Sequence, residues 1–157
     1  MPEPDIGKRP RPAASGGRES ARRQRVLVVD DDREILELTR MILKDAGYEV
    51  LTRSSGETAL VEARRWEPEL ILLDINMPGG SGFAVMQRLR ASARTAPVPI
   101  VAMSATADPV TAERALRGGA HAFLLKPLDL AQLDELIAGL LEDDYAVPPV
   151  IMAPGQH

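Results

Sequence analysis

Val26-Leu27-Val28-Val29-Asp30-Asp31-Asp32 sets four apolar residues directly before three acidic ones. The same arrangement recurs at Leu70-Ile71-Leu72-Leu73-Asp74. A short apolar run bounded by charge reads as a buried parallel strand whose C-terminal end opens to solvent. Ligands of open α/β sheets bind outside the carboxyl ends of the strands. Two such strands can therefore bring Asp30, Asp31 and Asp74 to one crevice. Two more apolar runs follow: Pro99-Ile100-Val101-Ala102-Met103 ends in Ser104, and Ala122-Phe123-Leu124-Leu125 ends in Lys126-Pro127. All four strands thus end in a group capable of chemistry: an acid pair, an acid, a hydroxyl and an amine.

Helical patterns separate these strands. Ile35, Leu36, Leu38, Ile42 and Leu43 recur at helical spacing and predict a helix over 33–46, closed by Gly47. A second helix is expected at 56–66 behind Ser54-Ser55-Gly56, and a third at 82–92. The fourth, 108–118, opens on Asp108-Pro109, a cap followed by an N1 proline, and closes at Gly118-Gly119. In the fifth, 130–143, Asp129 and Gln132 stand at capping-box separation. With a strand at 48–52 the chain holds five βα units, which imply a parallel sheet with helices on both faces.

Composition narrows the chemistry. The 157 residues suit one domain with tails, and an apolar fraction of 45% fits a globular core. Without cysteine there are no disulfides, thiolate metal sites or cysteine nucleophiles, and a reducing cytoplasm is the expected location. His121 and His157 are the only histidines, too few for a multi-histidine metal site. No stretch approaches the roughly 20 apolar residues that span a membrane, so membrane insertion is not expected.

Residues 1–25 carry seven basic and three acidic side chains, whereas the remainder carries twelve basic and twenty acidic. The bulk is acidic and unsuited to general nucleic-acid binding. Residues 1–24, rich in Pro, Gly, Ser and Arg, read as a disordered basic arm. Residues 146–157 read as a short flexible tail, too small for an output domain, although Val147, Val150, Ile151 and Met152 would let it lie back on the domain. Only three of the nineteen basic residues are lysine, so one at the end of an apolar run is informative.

The segments VLVVDDD, ELILLDINMPGGSG, PIVAMSA and FLLKP resemble the receiver domain of bacterial two-component response regulators. They fall in that family's order and approximate spacing, over residues 25–145. The resemblance implies a three-layer, doubly wound α/β fold with a five-stranded parallel sheet in flavodoxin-like order 2-1-3-4-5 and five helices. It also implies a phosphoacceptor signalling domain and not an enzyme, one that catalyses only its own Mg²⁺-dependent phosphorylation and dephosphorylation. A histidine kinase or histidine phosphotransfer protein would donate to Asp74.

Residue by residue, the resemblance makes Asp31 and Asp74 direct Mg²⁺ ligands, with Asp30 acting mainly through water. Asn76 would add its backbone carbonyl, and Lys126 would pair with the phosphoryl oxygens. Ser104 and Phe123 would form the switch, and the Lys126-Pro127 peptide is expected to be cis. A single-domain regulator would signal to a downstream protein through the face of helix four, strand five and helix five, without direct DNA binding. Asp32 reads as a helix cap and is left out of the site. Two other functions share parts of this pattern. A haloacid-dehalogenase-type phosphatase needs a second acid where Asn76 stands. A phosphorylation-independent scaffold would dispense with residues that are all present.

Overall fold

The computed structural model describes residues 22–77, 82–106, 108–141 and 150–152. Residues 1–21, 78–81, 107, 142–149 and 153–157, which include most of the expected arm and tail, lie outside the described residues. Strand and helix alternate along the chain: β1 (Arg25–Val29), α1 (Arg33–Asp45), β2 (Glu49–Arg53), α2 (Gly56–Trp66) and β3 (Leu70–Asp74). Then come α3 (Gly82–Ala91), β4 (Ile100–Ser104), α4 (Pro109–Arg117), β5 (Ala122–Leu125), α5 (Leu130–Leu140) and β6 (Val150–Met152).

The expected start signals act where the sequence puts them. Asp32 caps α1, its carboxylate accepting from the Glu34 and Ile35 N–H groups. Ser55 caps α2 through the Thr58 N–H, and Asp129 caps α5 through the Gln132 N–H. Asp108 accepts from the Val110 N–H, and Pro109 takes the first helical position of α4, where no intrahelical donor is lost. Gly47 and Gly119 follow α1 and α4 at φ of 102° and 113°, a left-handed backbone that favours glycine.

All strands run parallel, in the order β2-β1-β3-β4-β5-β6. Alternate residues feed opposite faces. Leu27, Val29, Ile71, Leu73, Ile100, Ala102 and Phe123 pack with α2, α3 and α4. Val26, Val28, Leu70, Leu72, Val101, Met103, Ala122 and Leu124 pack with α1 and α5. Because both faces are covered, β3 and β4 are buried along their whole length, which explains their unbroken apolar runs.

The 2-1-3-4-5 core and its five helices match the expectation. Among the described residues a sixth strand is added to these five at the β5 edge. Of residues 146–157 only 150–152 are described, and the reading of the rest as a flexible tail lies outside the described residues. Val150–Met152 pair with Ala122–Leu124 because the outer edge of β5 offers N–H and C=O groups that need partners.

Candidate functional site

Asp30 lies one residue beyond β1, where its own N–H still donates to the Arg53 carbonyl at 3.2 Å. That ladder bond fixes the residue with its side chain fully buried. Its Oδ1 accepts from the Asp32 N–H at 2.9 Å. Asp74, the last residue of β3, is also buried, and its Oδ1 accepts from the Asn76 N–H at 2.9 Å. Asp31 is exposed at the rim. Lys126 reaches in from just beyond β5. Its Nζ sits 2.6 Å from Asp30 Oδ2 and donates to Asp74 Oδ2 at 3.1 Å. The following Lys126-Pro127 peptide is cis, as expected.

Burial governs the charges. Desolvation pushes the Asp30 carboxyl above its usual range, and the nearby Asp74 charge adds to this. The Lys126 contact and the Asp32 N–H oppose the rise without cancelling it. For Lys126, burial alone would lower the ammonium's pKa. Its bonds to Asp30 and Asp74 and their charges outweigh that, so the group is held above its ordinary value. The site is thus a half-buried cation shared by two buried carboxylates.

Carboxylate oxygens of Asp30, Asp31 and Asp74 come within 4.8 Å of one another. Apart from the Lys126 ammonium at 2.6 Å, Asp30 Oδ2 has no polar partner among the described residues. Three hard oxygen donors this close together suit a small divalent cation such as Mg²⁺, which takes one or two carboxylates and keeps water.

Ser104, the last residue of β4, is fully buried. Its hydroxyl donates to Asn76 Oδ1 at 2.7 Å and accepts from the Thr106 N–H at 3.0 Å. The sequence reading assigned Asn76 only a backbone role, so this side-chain contact is new. Phe123 is buried opposite Ala102 of β4, two residues before the Ser104–Leu125 pair. Six of the seven expected residues stand at or just beyond the C-terminal ends of β1, β3, β4 and β5, and Phe123 lies inside β5.

Gly82 supports the acceptor strand from below and was not singled out by sequence. A Cβ there would lie 2.5 Å from the Asp74 carbonyl oxygen and would also clash with Ile75 Cα. Both obstacles are backbone and cannot turn aside. Gly82→Ala is therefore expected to cost about 1–3 kcal/mol, as overpacking does, and to displace Asp74. Urea denaturation checks the first effect, and the yield of covalent phosphorylation by acetyl phosphate checks the second.

The comparisons agree with this geometry. The family pattern described as "Response regulator receiver domain" matches residues 26–138. The polar-differentiation response regulator DivK of Brucella ovis is 34% identical over 118 residues, covering 75% of this chain and 96% of DivK. DNA-binding response regulator MtrA of Mycolicibacterium smegmatis is 33% identical over 85% of this chain and 57% of MtrA. The chain spans about half the length of the MtrA relatives it matches. Among solved structures, chemotaxis response regulator CheY4 of Vibrio cholerae superposes with a TM-score of 0.72 at 30% identity, covering 76% of this chain and all of CheY4. The receiver domain of sensor histidine kinase PA1611 from Pseudomonas aeruginosa was solved with magnesium in its active-site cleft. It gives a TM-score of 0.69 at 28% identity over 74% of this chain and 95% of that one.

Proposed function

Because the chain belongs to the response regulator receiver family, we propose that Asp74 accepts a phosphoryl group and that the domain thereby controls a partner protein. The observation that carries this is Lys126 bridging Asp30 and Asp74, beside a third carboxylate. A carboxylate can act as the nucleophile. An Asp74 oxygen would form the bond to phosphorus while the donor's bond to phosphorus breaks, the electron pair leaving with the donor. Such transfer depends mainly on positioning and on neutralising the phosphoryl oxygens. Lys126 supplies one fixed positive charge at that position. Asp30, Asp31 and Asp74, with the Asn76 carbonyl, would hold Mg²⁺, which when bound supplies the remaining positive charge.

Ser104 serves as the responding hydroxyl. It is held by Asn76 and can turn to a phosphoryl oxygen only by giving up that 2.7 Å bond. Phe123, buried on the neighbouring strand, senses the change by packing. The downstream partner would meet α4, β5 and α5, and a histidine kinase or phosphotransfer protein would serve as donor. Exposed Leu38 and Met41 on α1 support a protein donor. Leu38 also lines an apolar cavity of about 120 Å³ that leads to Lys126 and Pro127. DNA binding is named for relatives such as MtrA, of which this chain matches 57%.

A phosphatase reading is weaker, because the amide of Asn76 has no proton to give as an acid and its oxygen is tied to Ser104. Treatment with acetyl phosphate and Mg²⁺ is expected to add one phosphoryl group, read as intact mass. Excess chelator should lower its rate at least about tenfold, since charge neutralisation by the ion is worth several kcal/mol. An adduct forming equally fast with chelator would remove Mg²⁺ from this account.

A further inference from the structure

The family pattern ends at residue 138, and β6 lies beyond it. Its backbone runs parallel to β5, with Val150 opposite Ala122, Ile151 opposite Phe123 and Met152 opposite Leu124. An open strand edge presents unpaired N–H and C=O groups to any extended segment. Here the chain fills its own edge. The strand it covers is the one that carries Phe123 and runs directly into Lys126. β5 is also joined to β4 up to the Ser104–Leu125 pair. Thus β6 is laddered to the strand that links the acidic site to the face proposed for the partner.

We propose that β6 is a phosphorylation-sensitive cover on β5. It occupies the partner-facing edge while Asn76 holds the Ser104 hydroxyl, and it is released when Ser104 and Lys126 turn to a phosphoryl group on Asp74. This rests on the phosphoacceptor reading above. Three residues form few ladder bonds, so β6 opens at a lower free-energy cost than the inner strands while staying paired in most molecules. Being part of the same chain, it competes with a partner's segment at an effective concentration on the order of millimolar. The cover would therefore exclude weak partners until β5 changes. The pairing is seen with the Ser104–Asn76 bond made, so a shift of β5 toward the phosphoryl group must disturb the register of β6.

Coupling of this kind is reciprocal: if phosphorylation weakens β6, removing β6 must favour the phosphorylated state by the same factor. The probe is beryllofluoride with Mg²⁺, an inorganic mimic of the phosphoryl group, added to the full chain. Amide exchange at 122–125 and 150–152 should be slow without it and roughly tenfold or more faster with it. Neighbouring N–H groups of a strand point to opposite sides. Of Val150→Pro and Ile151→Pro, one must therefore remove a ladder donor. At least one of the two should bind beryllofluoride about fivefold or more tightly than the parent, the lower end of usual coupling.

Fast exchange at 150–152 in the untreated protein would overturn the proposal. So would unchanged exchange and equal affinities in all three proteins, and that result would leave the phosphoacceptor reading intact. Failure of the folded parent to bind beryllofluoride would instead remove both.

Discussion

Asp74→Ala is expected to abolish the phosphoryl adduct while leaving a folded domain. The two outcomes separate because of how Lys126 is shared. In the parent its ammonium lies between Asp30 and Asp74, at 2.6 and 3.1 Å. Without Asp74 the ammonium keeps its shorter contact, so no buried charge is left alone. Asp30 is also relieved, since the Asp74 charge is one cause of its raised pKa. Stability should therefore hold or rise slightly. Reactivity has no such reserve. Asp30 is fully buried and already accepts from the Asp32 N–H, and Asp31 is exposed, while the ion pairs of Lys126 go to Asp30 and Asp74. Removing a nucleophile that acts within a unit costs on the order of 10⁶-fold in rate, which leaves no adduct on the time scale of an acetyl phosphate incubation. Intact mass of both proteins with Mg²⁺ measures this. An adduct on Asp74→Ala at the parent's yield would move the acceptor elsewhere.

Much of this site could be read from the chain because the residues that matter end apolar runs. A strand buried on both faces leaves period-free apolar sequence, and the first polar residue after it marks where the sheet meets solvent. Asp30, Asp74, Ser104 and Lys126 were all found that way. Asp32 was set aside as a helix cap, and its carboxylate accepts from the α1 N–H groups. What the residues alone did not supply was strand order, which depends on long-range pairing and came from the family resemblance.

Other features left weaker traces. The Asn76–Ser104 bond joins residues 28 positions apart, and neither residue type announces a partner. α2 ends through Glu67 in a left-handed conformation, φ 56°, with no glycine to signal the stop. Gly82 matters because the Asp74 backbone runs close beside it, a proximity created only by the fold. β6 is three residues long, below the length at which a pattern can be told from an apolar stretch of tail. Its pairing depends on the free edge of β5, and an edge is a property of the assembled sheet.

The second large effect is expected from Lys126→Met, which keeps length and flexibility but removes the cation. Two buried carboxylates would then face each other without a counter-charge. Breaking a buried pair from one side costs roughly 3–5 kcal/mol, and Asp30 can recover part of that by taking a proton. The pH dependence follows from the direction of its shift. Asp30 already has a folded-state pKa above its unfolded value of about 3.9. Its contribution is therefore full below the unfolded value and is lost as pH rises through the folded one. Loss of Lys126 removes influences that hold this pKa down, so the window reaches further up. The variant should be most destabilised near neutral pH, and its deficit should shrink toward pH 5. Urea denaturation with chelator, at several pH values, gives the profile. Mg²⁺ should then stabilise the variant more than the parent, because the ion no longer competes with an ammonium for Asp30 and Asp74, and binding to the native state alone adds stability by mass action. Lys126→Arg separates charge from shape: its guanidinium restores a positive charge but spreads it over a planar fork in place of a compact point. A parent-like pH profile in Lys126→Met, with no added response to Mg²⁺, would show that the lysine does not set the electrostatics of the acidic site.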